Sequence, residues 1–253
     1  MNITLLGTGT SQGVPVIGCE CSVCRSLDFR DKRLRSSLHI EVDGVSIVID
    51  SGPDFRQQIL REGIKKMDAL LFTHEHKDHT AGMDDIRSFN FLQKKDMPIY
   101  GDQRVINQLK QEFSYVFQES KYPGVPKVEV HEIKNSPFQV QGISVLPIQV
   151  MHHKLPVYGF RIKDFTYITD AKTINETERA KIKGSKVLII NALQVEDHIS
   201  HLTLAEAITL SQELDVEQTY FTHISHKLGG HKSVSDTLPA TIKLGNDGLK
   251  ISM

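Results

Sequence analysis

The chain has 253 residues, 39% hydrophobic and 24% charged, a composition that fits an ordinary folded protein and excludes the disordered and membrane-spanning classes. Its 30 Lys and Arg nearly balance 31 Asp and Glu, for a formal net charge of -1, which excludes a general attraction for nucleic acid or anionic membrane. An anionic substrate has to be held by local groups.

In chain order, Asn2 to Leu6 reads as a strand ending in the Gly-rich loop LGTGTSQG, and Leu38 to Ile49 as a hairpin turning on Asp43-Gly44. The opening MNITLLGTGT lacks a basic region followed by a long apolar run. No later apolar stretch approaches the roughly 18 residues of a spanning helix, so a cytoplasmic protein is expected. Asp54 is expected to cap a helix running to about Arg61. Ala69 to Thr73 is a short apolar strand that delivers the chain into His74-Glu75-His76-Lys77-Asp78-His79. Asp84 to Leu92 and Gln103 to Phe117 have helical periodicity, with Pro98 and the stretch Tyr122 to Pro126 marking loops around the second. From Val128 the β pattern resumes. Phe138 to Val150 folds over Gln141-Gly142, Tyr158 to Thr169 folds near Asp164, and Val187 to Ala192 and Gln218 to Thr222 are buried-strand runs. An amphipathic helix, Thr203 to Leu214, lies between the last two. No repeat, low-complexity tract or linker interrupts this order, so one domain is expected. Strand-rich halves that each carry helices predict two mixed sheets packed face to face under outer helices, a layered α/β architecture.

Twelve histidines are present, and seven fall in three tight groups: 74 to 79, 152 to 153, and 223 to 226. The run HxHxDH offers three imidazoles and one carboxylate, the ligands that first-row metals prefer. In an extended segment His74 and His76, two apart, project to one side and reach one ion, while Asp78 and His79 follow at a turn that aims them at a second. A lone buried histidine is more often a satisfied core residue; four ligand-type residues directly after a buried strand are not. His152, Asp170 and His223 each follow a predicted strand, so each can converge on one edge of the sandwich. Cys19, Cys21 and Cys24 are the only cysteines, an odd number within six positions. That suits thiolate ligation of one tetrahedral ion in a reducing compartment better than a disulfide framework, with one ligand to come from elsewhere.

Together these motifs resemble the metallo-β-lactamase superfamily, over essentially the whole chain. The resemblance implies a four-layer αββα sandwich as a single domain over 1–253 and a dinuclear centre of divalent ions, zinc, manganese or iron. His74, His76 and His152 would hold the first ion, Asp78, His79 and His223 the second, and Asp170 would bridge them. Relatives usually have glycine after the third-motif histidine, whereas this chain has His153; either neighbour is open as the ligand, and register favours His152. The Cys-x-Cys-x-x-Cys spacing is similar to that of the PhnP-like cyclic-phosphodiesterase branch, which implies a structural zinc on Cys19, Cys21, Cys24 and His226. Ser36-Ser37, the run Asp50 to Arg56 and the run Gly82 to Arg87 match the same branch. The segment Asp197 to His201 resembles the place of a catalytic histidine, with His201 favoured by register and His198 second. The implied activity is hydrolysis of a small or cyclic phosphodiester by a bridging hydroxide, with Asp78 in the catalytic set and His201 protonating the leaving alkoxide. The alternatives are a tRNA 3′-processing-type nuclease, a thioesterase- or lactamase-like hydrolase, and, least favoured, a non-catalytic zinc-binding protein. The nuclease reading lacks its usual basic Gly/Lys/Arg-rich arm here. A small-molecule phosphodiester is the expected partner, with no membrane, nucleic acid less favoured and a homodimer open.

Overall fold

In the computed structural model, which describes residues 1–118 and 122–253, strands alternate in polarity or are buried throughout, as expected where helices cover the outer sheet faces. The strands are β1 (Asn2–Gly7), β2 (Ser37–Val42), β3 (Val45–Ile49), β4 (Ala69–Leu71), β5 (Met97–Gly101), β6 (Val128–Glu132), β7 (Phe138–Val140), β8 (Ile143–His152), β9 (Leu155–Ile162), β10 (Phe165–Tyr167), β11 (Val187–Asn191), β12 (Gln218–Thr222), β13 (Ile242–Leu244) and β14 (Lys250–Ser252). They form two seven-stranded sheets, ordered β14-β1-β2-β3-β4-β5-β6 and β13-β12-β11-β10-β9-β8-β7. In the first sheet β3 to β6 run parallel, and in the second β10 to β13 do. β8 runs parallel to β10 because each pairs antiparallel with β9. The carboxyl ends of β3, β4, β8, β10 and β12 are where open α/β sheets place their ligands.

Three apolar layers hold the sandwich together. Ile3, Leu38, Ile40, Phe160, Phe165 and Ile189 fill the space between the sheets. On the outer face of the first sheet, Phe55, Ile59, Phe89, Val105 and Leu109 come from α1 (Phe55–Glu62), α3 (Arg87–Gln93) and α4 (Gln103–Glu112), with α2 (Lys77–Thr80) between the first two. Past α5 (Ser114–Phe117), the outer face of the second sheet is covered by α6 (Glu176–Ile182), α7 (Leu204–Glu213) and α8 (His231–Ser235) through Ile182, Ala207, Leu210 and Val234. This is the αββα sandwich. Burying these side chains contributes roughly 1.5–3 kcal/mol each.

The local differences from the sequence reading have identifiable causes. Asp54 stands at the N-cap of α1 but makes no capping hydrogen bond; its carboxylate instead accepts from the backbone N–H and guanidinium of Arg35 at 2.8 and 3.0 Å. Pro98 is not in a loop but inside β5. The backbone N–H of Met97 serves the β6 side, and pairing with β4 begins only at Ile99, so the missing Pro98 N–H costs no ladder bond. The helix expected from Asp84 starts as a 3-10 turn, Met83–Ile86, before α3. The helix expected over Gln103 to Phe117 breaks at Phe113, φ -112° and ψ 42°. Helices α2, α6 and α8 are too short to show a period in the sequence. The helix expected from Thr203 forms as α7, and Thr203 and Glu206 make a complete capping box at its start, with both reciprocal bonds made.

Candidate metal centre

Short strands end, and the chain turns out of the sheet plane directly into ligand-type side chains. Asp50 follows β3, His74 lies three residues past β4, His152 ends β8, Asp170 lies three residues past β10, and His223 follows β12. Asp50, Asp170 and His223 leave in the left-handed region, φ 64°, 55° and 54°, a conformation that non-glycine residues hold only when their surroundings fix it. His76 opens α2, and the following turn carries Asp78 and His79 inward while Lys77 pairs with Glu112 of α4 at 2.6 Å.

These residues converge on Asp170. His79 Nε2 lies 3.2 Å from Asp78 Oδ2 and 3.3 Å from Asp170 Oδ2. His201 Nε2 and His223 Nε2 lie 3.0 and 3.3 Å from Asp170 Oδ1. His74 Nε2 lies 3.0 Å from His76 Nδ1, and the His76 and His152 ring centroids are 5.2 Å apart. Three overlapping sets of potential ligand atoms result: His74, His79 and Asp170; Asp78, His79 and His223; and His152, Asp170 and His201. His76 stands at the exposed rim, outside these sets. Of the two adjacent histidines, His152 joins the cluster and His153, φ 55°, is exposed. His198 reaches the cluster only through His201, Nδ1 to Nδ1 at 3.2 Å.

The donor chemistry fits divalent ions. His79 Nε2 is buried without a hydrogen-bond partner although two carboxylate oxygens are within 3.3 Å. Nitrogen and oxygen atoms bound tetrahedrally at 2.0–2.1 Å are about 3.3 Å apart, which is the spacing found here. Burial disfavours the charge on His79, but Asp78, Asp170 and Asp50 outweigh it and hold the imidazole well above its usual range. Burial would raise Asp170, yet His223 and His79 hold it well below the usual carboxylate range. His74 and His223, dominated by burial, are pushed down, His223 to about 4. Such opposed perturbations in one cleft mark functional sites.

Three of the ligand-type imidazoles are also held from behind at Nδ1. His79 Nδ1 donates to Asp50 Oδ2 at 2.7 Å, and His152 Nδ1 donates to the Ser200 carbonyl at 2.9 Å. Thr73 Oγ1 gives its proton to Asp50 at 2.8 Å and so accepts from His74 Nδ1 at 2.9 Å. All three rings therefore have Nδ1 engaged and turn Nε2 toward the centre, where its lone pair would serve an ion once any proton there is displaced. Sequence reasoning missed Thr73 and Ser200 entirely and met Asp50 only as part of a pattern.

The second cluster lies on the long excursion between β1 and β2. His226 Nδ1 is 3.3, 3.4 and 3.6 Å from the Sγ atoms of Cys19, Cys21 and Cys24. Tetrahedral bonds of about 2.3 Å to sulfur and 2.0–2.1 Å to nitrogen require about 3.6 Å. All three thiols are free. The Cys24 N–H and His226 stabilise the Cys21 thiolate and lower its pKa to about 6, whereas burial pushes Cys24 up to about 11. His226 lies three residues beyond His223, so one short segment joins both clusters.

Comparison with known proteins places the chain. The family described as Beta-lactamase superfamily domain matches residues 46–224. A Porphyromonas gingivalis protein named Octanoyltransferase is 41% identical over 253 residues, 99% of this chain and 51% of that protein. The chain thus spans about half the length of that relative. A structure titled as a new diphosphatase from the PhnP family superimposes with a TM-score of 0.93 at 39% identity, covering 100% of this chain and 97% of the other. Zinc-bound PqqB from Methylobacterium extorquens shares the fold, TM-score 0.82 at 19% identity with full coverage of both chains. The chain belongs to the beta-lactamase superfamily domain family and, within it, to the PhnP-like branch.

Proposed function

We propose that this protein hydrolyses a small phosphodiester, cyclic or linear, at a centre of two divalent ions. The observation that carries this reading is the crowding of three overlapping donor sets in one place, Asp170 belonging to two of them and His79 joining one of these to the third, which is more donors than a single ion takes and suits a paired centre. His74, His76 and His152 would hold one ion, Asp78, His79 and His223 the other, and Asp170 both; Cys19, Cys21, Cys24 and His226 would hold a structural zinc. When bound, such ions polarise phosphoryl oxygens and make water more acidic. Water, after giving up one proton to solvent, adds through its oxygen to phosphorus, the P–O bond to the leaving group breaks, and the departing oxygen takes a proton. His201 Nε2, 3.0 Å from Asp170 Oδ1 and buried beside His152 and His223, is placed to supply that proton. The three free thiols favour a reducing, cytoplasmic setting. Among the described residues, no helix is long and apolar enough to cross a membrane.

A second substrate reading, a phosphoanhydride, is favoured by the diphosphatase title of the 39% identical structure. Both readings are tested by assaying metal-analysed protein on bis(p-nitrophenyl) phosphate, 2′,3′-cyclic nucleotides, a diphosphate diester, a β-lactam and a thioester. Cleavage of the first two supports the diesterase and cleavage of the third alone the diphosphatase. Turnover confined to the β-lactam or thioester overturns phosphoryl chemistry.

A further inference from the structure

His223, like His74 and unlike His79 and His152, has neither a carboxylate nor a carbonyl behind its ring. Two hydroxyls take that place. Ser36, 1% exposed, gives its one proton to the Gly9 carbonyl oxygen at 3.0 Å, and its oxygen lies 3.2 Å from His223 Nδ1. Thr169 gives its proton to Asp170 Oδ2 at 2.6 Å, and its oxygen lies 3.4 Å from the same Nδ1. A carbonyl and a carboxylate only accept, so neither hydroxyl has a second proton to offer. His223 Nδ1 therefore carries the hydrogen and donates, and Nε2 keeps its lone pair, 3.3 Å from the Thr10 hydroxyl that can donate to it and 3.3 Å from Asp170 Oδ1, with which it would share an ion. Without those hydroxyls a neutral imidazole can carry its proton on either nitrogen, and in the other tautomer Nε2 offers a hydrogen where an ion needs a lone pair.

We propose that Ser36, assisted by Thr169, is a positioning residue that locks His223 in the Nδ1–H tautomer and thereby prepares it as a ligand. This rests on reading the His/Asp cluster as a metal centre. The lock also ties the centre to the Gly-rich loop, because Ser36 bonds Gly9 while the backbone of Thr8 and Thr10 pairs with Ile224, next to His223. The loop's glycines have a structural reason to be small: a Cβ on Gly9 would lie 2.8 Å from the Arg33 carbonyl oxygen.

The test is Ser36→Ala in the full chain, read in three ways. Imidazole 15N correlation spectra of the metal-free protein should show His223 as Nδ1–H only in the wild type and as a tautomer mixture in the variant. Chelator competition with zinc should show one His/Asp-centre ion weakened about 10–100-fold, with the Cys/His ion unchanged. The variant's kcat should recover as zinc is raised. A single Nδ1–H tautomer together with wild-type zinc affinity in the variant overturns the proposal. If Ser36→Ala loses the native amide dispersion, Thr169→Val removes the other acceptor and is judged by the same spectra and titration. A wild type that binds two ions yet cleaves no phosphoester overturns the activity reading and leaves the lock standing. A wild type that binds no ion at the His/Asp cluster overturns both.

Discussion

The two clusters share one segment, residues 223 to 226, yet are built in opposite ways. The His/Asp cluster sits on the ends of five strands whose roots are in continuous apolar layers, and its imidazoles are fixed from behind by Asp50, Thr73, Ser36, Thr169 and Ser200. The Cys/His cluster sits on an irregular excursion whose own apolar core is Val14, Val23 and Cys24, and Ile17, Leu27 and Phe29 on that excursion are exposed. The first geometry is organised by the fold without help from an ion. The second has little burial to hold it, so an ion bound there would have to do the organising. Buried polar ties of the excursion to the rest of the molecule include Arg33, which donates to Thr8 Oγ1 at 2.8 Å and the Gly245 carbonyl at 2.6 Å and meets His231 Nδ1 at 3.1 Å, and Asp31, which accepts from the His231 N–H at 2.7 Å.

Substitutions should separate the two regions, beginning with the largest effect. Asp170→Asn should lower turnover on the order of a thousandfold and release ions from the His/Asp centre. Elemental analysis should still find the Cys/His ion, and unchanged stoichiometry at the His/Asp centre would contradict the ligand assignment. His201→Gln should lower kcat by roughly a hundredfold or more with metal content intact. A variant with full turnover, or one stripped of its catalytic ions, removes His201 from the proton-donor role.

Cys21→Ser should act through order rather than chemistry. Loss of the ion there should lower the melting temperature by roughly 4–8 °C, about 2 kcal/mol for a chain of this size. Amide exchange should quicken over residues 14–33 but not over β3, β4, β10 or β12. Equal loosening of both regions would erase the contrast drawn above.

The smallest effect concerns acid. His231 is pushed down to about 4, first by burial and then by Arg33 and Arg30. Its unfolded value is about 6.5, so between pH 6.5 and 4 the unfolded chain binds the additional proton. The stability it contributes is complete above pH 6.5 and is lost as the pH falls toward 4, by roughly 1 kcal/mol once solvent screening is allowed for. His231→Gln should flatten that limb of a melting-temperature profile. An unchanged slope would show that the acid sensitivity lies elsewhere.

How much was legible depended on residue chemistry. The strand before His74 and the HxHxDH run are visible because imidazoles and carboxylates in such density have few structural uses. His152, Asp170 and His223 are visible because each follows a recognisable apolar strand. Cys19, Cys21 and Cys24 announce themselves by spacing. By contrast Thr73, Thr169 and Ser200 are common, small and locally unremarkable residues, and Ser36 shows only as part of a branch pattern; the importance of all four arises from which ring atom each meets. Pro98 misled for a related reason, since a proline reads as a strand breaker unless the side on which its ladder bond is missing is known.

The sequence by itself determined the layered α/β class, the order of most strands and the ligand types, because these follow from local periodicity and from the chemistry of individual side chains. Only the tertiary structure decided that His152 rather than His153 turns inward, that His198 stands behind His201, and which group meets each ring nitrogen. Those choices depend on groups brought together across up to about two hundred residues of chain, such as Ser36 and His223, 187 positions apart. No local pattern encodes such a meeting; the packing of two sheets creates it.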